Sequence, residues 1–586
     1  MRKILLMMTA VLCAGLAYAQ NVQVTGIATS AEDGSPMPSV AVAVQGTGRG
    51  TTTDLDGAYS ISVPSNGTLV FSFLGYDDAV VPVNGRSVIN VALQPGSILV
   101  DDVVVTAMGI SKAEKAIGYA ATTIKADEIV SARTTNVADA IAGKVAGVQI
   151  QQTSSDPGAA SFIIIRGYNS ISGSNQPLYV VDGVPLQNTT TTSGEKNTAL
   201  GGISNIPAED IESMTVLKGA AATALYGSRA ANGVVVITTK NGKKGQGRNY
   251  ILAYSGGMQF RQVSVLPDMQ NDFGQGWNGN QTFIENGSWG PALNGTTQVY
   301  GPIWNNQQRI HKYQAVPTNI KDFFDIGVSN NHDVSLSGVS DDNKMTYYLS
   351  YSFTNDDGIM PYDHDVYKRN TIAYRSTYQA AKWLKLSSSV NFARSESDIV
   401  PTFQGTSVID GLYEFPRDIS VYDMRDLSVA FNTPEAYLTP YGITNPYWAI
   451  ENNYNHNSSK QVFGKVQVDL NPIKDLTFTY RMGFDYTDYD RKVGQPQIDL
   501  DDALIQEDYG YAPSKMNQSG YVYANYSRRY ETNNDFLASY KKQLDAFDLG
   551  VVLGVNINER GATSIAGETD ETTRSEERRV GKECRS

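Results

Sequence analysis

Cysteine is nearly absent from this chain. Cys13 and Cys584 sit at opposite ends of 586 residues, which excludes a disulfide framework, a cysteine zinc cluster and a buried cysteine nucleophile. Histidine is almost as scarce, and His311, His332, His364 and His456 lack the spacing that places two ligands on one face. No His-Glu-x-x-His, Gly-x-Ser-x-Gly or Walker-type loop occurs, so no catalytic residue, metal site or cofactor is expected and an enzyme is disfavoured. Positive charge is also short: 47 Lys and Arg against 60 Asp and Glu leave a net −13, which argues against nucleic acid as a partner. Beyond the first residues there is no apolar run of the roughly 18 residues that a membrane helix needs. Any membrane role must therefore use strands.

The two ends read differently from the rest. Residues 1–19 carry Arg2-Lys3, an apolar stretch from Ile4 to Leu16 and Ala17-Tyr18-Ala19 before Gln20, the pattern of a cleaved signal peptide. Leu12 is too bulky for the small residue that a lipoprotein signal wants before Cys13. Residues 574–586, from Arg574 to Ser586, break from the strand pattern and read as translated sequencing adapter. Both segments are basic, so the chain between them is more acidic than the net −13 suggests. An acidic, cysteine-free interior suits an exported protein.

Residues 20–98 show short alternating runs, Val40–Val44, Tyr59–Val63 and Leu69–Phe73, separated by turns, as in a small β-sandwich. Asp54-Leu55-Asp56-Gly57 resembles part of a calcium loop but lacks the later bidentate Glu and reads as a turn. In the linker 99–115, Asp102 is followed by Val103-Val104-Val105-Thr106. A β-branched run this isolated can add to the edge of another protein's sheet or pair within the chain. Residues 116–245 are mixed α/β. Val137–Val145 has helical spacing, Phe162–Ile165, Tyr179–Val181 and Val234–Thr238 are apolar strands, and Ala208–Ile211 can open a helical turn.

From residue 246 to 573 the period is two. Met345, Tyr347, Leu349, Tyr351 and Phe353 share one face and Thr346, Tyr348, Ser350, Ser352 and Thr354 the other. Leu476, Phe478, Tyr480, Met482, Phe484 and Tyr486 oppose Thr477, Thr479, Arg481, Gly483, Asp485 and Thr487 in the same way. Strands are expected near 249–260, 331–338, 344–354, 366–378, 384–394, 460–470, 475–488, 519–541 and 547–557. Long and short connections between them alternate without exception, the pattern of a meander with turns at one end and loops at the other.

The motifs then match a family. Ile165-Arg166-Gly167, the run Pro177 to Pro185 with Asp182-Gly183, Asp210-Ile211-Glu212-Ser213, Lys218-Gly219 after Val216-Leu217, and Ala224 to Gly233 with Tyr226-Gly227, Arg229 and Asn232-Gly233 resemble the plug of SusC/RagA-type TonB-dependent outer-membrane transporters. Residues 20–98 are similar to the carboxypeptidase-regulatory-like domain that precedes such plugs, and Asp102 to Thr106 falls where the family's TonB box lies. The resemblance implies a mainly β protein: a β-sandwich, an α/β plug and the first part, about nine strands, of a 22-stranded transmembrane barrel. It implies TonB with its ExbB/ExbD motor, a SusD-like lipoprotein and outer-membrane lipid as partners, in a Gram-negative outer membrane. It also implies import of an oligosaccharide or peptide. Nine strands cannot close such a barrel, so the sequence reads as a fragment.

Arg166 is expected to pair with an acidic group of the barrel wall or with one inside the plug. Asp182-Gly183 and Tyr226-Gly227 read as turn residues, because Gly supplies positive φ at no steric cost. Trp277, Trp289, Trp304 and Trp448 fall in the two longest loops with Tyr300, Tyr413, Tyr422, Tyr437, Tyr441 and Tyr447. They suit stacking on substrate or contact with the lid protein, and equally packing of the loops on themselves. Two other functions remain open to the same motifs: a TonB-dependent signalling receptor, disfavoured by the sandwich-like first domain, and a surface hydrolase, disfavoured by the missing motifs.

Overall fold

The computed structural model describes residues 21–31, 34–45, 47, 49–73, 76, 78–94, 103–105, 111–113, 121–131, 136–152, 154, 156–171, 173–187, 202–219, 226–245, 248–282, 287–400, 407–434, 437, 444–498, 520–544 and 547–569. The leader, Asp102, Thr106, Tyr441 and the basic tail lie outside these residues.

The first unit contains two sheets built from β1 (Asn21–Ser30), β2 (Ala41–Val44), β3 (Gly50–Thr52), β4 (Ala58–Pro64), β5 (Thr68–Ser72), β6 (Ala79–Pro82) and β7 (Val91–Leu93). Their orders are β4-β1-β7 and β3-β2-β5-β6. Alternate residues Tyr59, Ile61 and Val63 of β4 and Leu69 and Phe71 of β5 turn into one core, where the Tyr59 and Phe71 rings meet edge to face at 5.2 Å. Asp54 forms a turn, its Oδ1 accepting from the amides of Asp56 at 3.0 Å and Ala58 at 2.8 Å. The linker strand β8 (Val103–Val105) pairs with β9 (Ser111–Ala113) in a two-stranded sheet.

The second unit begins with β10 (Ala121–Lys125), β11 (Val148–Gln152), β12 (Ser161–Ile165), β13 (Leu178–Val181), β14 (Val184–Leu186), β15 (Ile211–Leu217) and β16 (Val234–Thr239). Five of these form a sheet in the order β10-β15-β16-β13-β14, while β11 and β12 pair separately. The continuous helix expected over 137–145 is not formed. Asp139–Ile141 make one 3-10 turn, after which Ala142 is extended and Gly143 has φ +72°. A helix cannot run through those dihedrals. The apolar spacing still serves burial, since Val137, Ala140, Ile141 and Val145 all join the plug core.

The remaining strands are β17 (Tyr250–Arg261), β18 (Thr297–Trp304), β19 (Gln307–Lys312), β20 (Gly327–Val339), β21 (Met345–Asp357), β22 (Val366–Ala381), β23 (Leu384–Asp398), β24 (Tyr454–Ile473), β25 (Leu476–Gln495), β26 (Tyr521–Leu544) and β27 (Phe547–Glu568). Apart from the β18–β19 hairpin, these make one nine-stranded antiparallel sheet in chain order from β17 to β27. The sheet is not closed, and β17 and β27 are its edges. Connections 340–344, 382–383, 474–475 and 545–546 join strands at one end, and the longer 262–326, 358–365, 399–453 and 496–520 join them at the other.

The burial of this sheet is inverted relative to a soluble protein. On β21 the polar face, Tyr348, Ser350, Ser352 and Thr354, is buried, while Leu349 and Tyr351 are 46% and 45% exposed. On β25 Arg481 and Asp485 are buried, and Phe478, Tyr480 and Met482 are exposed. A wall that is apolar outside and polar inside is what a hydrocarbon environment requires of a barrel.

Candidate functional site: the plug against the strand wall

The polar inner face of the wall is buried because the plug lies on it. The hairpin β13–β14 turns through Asp182 (φ +49°) and Gly183 (φ +86°), the two left-handed positions of the tight hairpin turn that Asp-Gly favours. Its tip touches the wall. Lys465 Nζ of β24 donates to the Asp182 carbonyl at 2.8 Å, and the Asp182 carboxylate accepts from Thr239 N at 3.0 Å and Thr239 Oγ1 at 2.6 Å. A Cβ on Gly183 would lie 2.1 Å from Nη1 of Arg481. That arginine is held by Asp535, Nη2 donating to Oδ2 at 2.7 Å. Just beyond the hairpin, Gln187 N donates to Asp485 Oδ2 at 3.1 Å and Gln187 Nε2 to the Tyr530 carbonyl at 3.0 Å.

A second contact is made by Asp210, which ends the 3-10 turn Ala208–Asp210. Its carboxylate, 3% exposed, accepts from Tyr348 OH at 2.8 Å and Ser350 Oγ at 2.9 Å. Arg375 Nη2 lies 3.6 Å from the same group. A buried charge is tolerated here because donors surround it. Asn205 continues the seam, donating to Gln461 Oε1 at 2.8 Å and accepting from Ser395 Oγ at 3.4 Å. Arg369 donates to the Ser204 carbonyl.

The third contact is an ion pair. Arg229 grips Glu531 of β26 with both fork nitrogens, Nη1 to Oε1 at 2.6 Å and Nη2 to Oε2 at 3.2 Å, and Asn558 of β27 also donates to Oε1 at 2.7 Å. The bidentate geometry gives direction as well as energy.

Neither ion pair expected of Arg166 is formed. Arg166 is exposed at φ +60° and makes no ion pair among the described residues. Its Nη1 would lie 2.8 Å from a Cβ on Gly219. Burial, and then the Arg166 charge, hold the Lys218 amine below its usual range, while its Nζ donates to the Ala146 carbonyl at 2.6 Å. Ile165 is buried at the end of β12. Gly167 and Gly227 are at φ +95° and +66°, next to Arg166 and Tyr226. Asn232 Nδ2 donates to the Ser174 carbonyl at 2.7 Å, ahead of Gly233 at φ +92°.

The loops 262–326 and 399–453 fold on each other around Tyr300, Phe323, Leu412, Phe415, Tyr437 and Tyr447, with the Phe323 and Tyr447 rings 4.8 Å apart. Asn445, wholly buried, accepts from Tyr447 N at 3.0 Å and donates to the carbonyls of Met424 at 2.8 Å and Asn432 at 2.9 Å. The loop aromatics therefore divide. Tyr300, Tyr437 and Tyr447 pack the loops, Trp304 and Trp448 are half-buried, and Trp277 and Trp289 stand 52% and 69% exposed.

A model of the TonB-dependent receptor plug domain matches residues 113–234, and one of the CarboxypepD_reg-like domain matches 24–105. The TonB-dependent receptor SusC of Bacteroides thetaiotaomicron is 29% identical over 573 residues, covering 94% of this chain and 52% of that protein. The chain is a homologue of SusC. A TonB-dependent receptor of Formosa agariphila is 33% identical over 336 residues, 57% of this chain and 30% of that protein. The chain thus spans about half or less of the length of these curated relatives. Among solved structures, the RagAB peptide importer in its open-open state superposes with a TM-score of 0.60 at 22% identity, over 80% of this chain and 50% of that one, so the two share a fold. In this SusC homologue the wall residues Glu531, Arg375, Gln461 and Lys465 were missed from the sequence. The available signal was charged or amide side chains on strand faces otherwise filled by Ser and Thr.

Proposed function

We propose that this chain is the N-terminal part of an outer-membrane transporter that imports a nutrient oligomer, glycan or peptide, in a TonB-dependent cycle. The supporting observation is the seam itself: a plug seated on the polar face of a wall whose other face suits lipid. The seam is built largely from hydrogen bonds and two ion pairs that can open and reform, with Phe463 of β24 the wall residue that joins the plug's apolar core. In the proposed cycle, substrate is captured at the long loops and a SusD-like lipoprotein closes over it. TonB, powered by ExbB/ExbD, then takes Asp102–Thr106 as an added strand and pulls. The β8–β9 pairing would have to be exchanged for pairing with TonB, which trades ladder for ladder at little net cost. Trp277 and Trp289, the more exposed of the loop tryptophans, are the proposed contacts for substrate or lid, together with the half-buried Trp304 and Trp448.

Val104→Pro tests this. Proline removes a ladder donor, so uptake should fall to background while binding at the cell surface is unchanged. Undiminished uptake would remove the assignment of the TonB-binding segment.

A further inference from the structure

Between the plug and strands β26–β27 lies a cavity of about 550 Å³, within the usual range of roughly 300–1,000 Å³ for ligand sites. Its polar lining includes Arg229, Arg529, Arg560, Gln176, Gln187 and Asn232. The register places the arginines on the plug-facing side. Glu531, which meets the plug, is paired with Arg560 across the ladder, and Arg529 is paired with Ala562. Residues 529 and 531 share a face because strand side chains alternate. Arg529 is closer to the long-loop end of β26 at Tyr521 than to its turn end at Leu544, so the cavity lies nearer the long-loop end of that strand.

The charges here are not balanced. Arg229 is neutralised by Glu531, but among the described residues the Arg529 and Arg560 side chains make neither an ion pair nor a hydrogen bond. Two uncompensated guanidinium groups in a concavity of a chain with net charge −13 focus an attractive potential for anions where the rest of the molecule repels them. Planar forks match carboxylates in particular. Tyr179 also contributes to the lining, wholly buried and with a hydroxyl that has no partner. Burial raises its pKa, so it stays a neutral donor. Hydroxyl and amide groups beside the arginines suit the ring hydroxyls of a sugar. A peptide added to the free edge of β27 would pair through backbone groups, whereas the polar groups named here are side-chain hydroxyl, amide and guanidinium groups.

We propose that this cavity binds a carboxylate-bearing oligosaccharide, an inference that rests on the import reading and names its substrate class. The test is titration of the purified full-length receptor, without TonB, with trigalacturonate, a neutral galactose trisaccharide and a glutamate tripeptide. Trigalacturonate should bind at least about tenfold more tightly than the neutral sugar, and Arg529→Gln and Arg560→Gln should each cost about tenfold. The Lys variants should recover part of that loss, with assembly checked by heat-modifiable migration. Should a Gln variant fail to assemble, the salt dependence of the unsubstituted receptor decides, since affinity for the acid, but not for the neutral sugar, must fall as salt is raised. Equal binding of the two sugars, or assembled Gln variants with unchanged affinity, overturns the proposal. Tighter binding of the peptide overturns its glycan part. Binding without TonB is independent of transport, so a failure here leaves the import reading standing, and a failure of the Val104→Pro test leaves this one.

Discussion

Removing Arg229 should loosen the plug by an amount that the geometry sets. Glu531 is 1% exposed and Arg229 25% exposed at the side chain, so truncating the arginine strands a carboxylate that water cannot readily reach. Breaking a fully buried pair costs about 3–5 kcal/mol. Here the figure is lower, because the arginine is partly solvated and Asn558 still donates to the carboxylate at 2.7 Å. About 2–3 kcal/mol is expected for Arg229→Ala. Glu531→Gln keeps an oxygen acceptor and an amide donor and should cost about 1 kcal/mol. Once the arginine is gone, neutralising Glu531 relieves a stranded charge, so the double variant should be no worse than Arg229→Ala alone. That is a coupling of at least about 1 kcal/mol in a double-mutant cycle. All five tryptophans, Trp277, Trp289, Trp304, Trp383 and Trp448, lie outside the plug, so intrinsic fluorescence would miss its release. The assay is hydrogen exchange at β15 and β16, read as an opening free energy. Strictly additive effects would mean that the pair does not hold the plug, and would refute the reasoning.

Three further outcomes follow from individual contacts. Gly183→Ala should destabilise the seated plug by about 2 kcal/mol or more, through a positive φ and a collision with Arg481, measured as faster exchange over β13 and β14. Asn445→Ala removes a helix cap and both donors to buried carbonyls; it should open the loop layer by about 2–4 kcal/mol, seen as accelerated protease cleavage within 399–453 while plug exchange is unchanged. Burial pushes the Asp365 carboxyl, in the 358–365 loop, up to about 7, opposed by the Met360 amide and reinforced by nearby Asp357 and Asp156. Because the folded state keeps this proton after the unfolded chain has released it, the contribution is complete below the unfolded value of 3.8 and is lost as pH rises to about 7. Exchange protection of the 358–365 segment should therefore fall across that window, and Asp365→Asn should flatten the profile.

How much of this was legible depends on the range of the interaction that carries it. All nine wall strands show in the sequence because alternation is local, and most of their starts fall within two residues, but several of their ends do not. The expected 547–557 runs in fact to Glu568, and the expected 460–470 begins at Tyr454. The missing stretches, Asn558 to Gly567 and Tyr454 to Ser459, are rich in Gly, Ser, Thr and Asn, and keep their ladder pairing without an apolar face to announce it. The β18–β19 hairpin was lost inside a long loop because Gly301-Pro302 interrupts the alternation and the register shifts between Tyr300 and Trp304. The plug motifs contain both Arg166 and Arg229, and among the described residues the ion pair to the wall that was expected of Arg166 is made by Arg229. Arg166 and Arg229 both sit beside glycine-rich turns, and only the fold shows that one faces Glu531, 302 positions away, while the other faces solvent. A sequence can reveal that a polar strand face must be covered; which side chains close the seam depends on register between segments hundreds of residues apart. The register also explains why the seam is polar. The wall must be apolar outside, alternation then makes it polar inside, and a plug seated there must answer donors with acceptors. Release is then possible because each hydrogen bond lost to the wall can be remade with entering water, at a net difference of about 1 kcal/mol apiece, whereas a seam of buried leucines would have no such exchange.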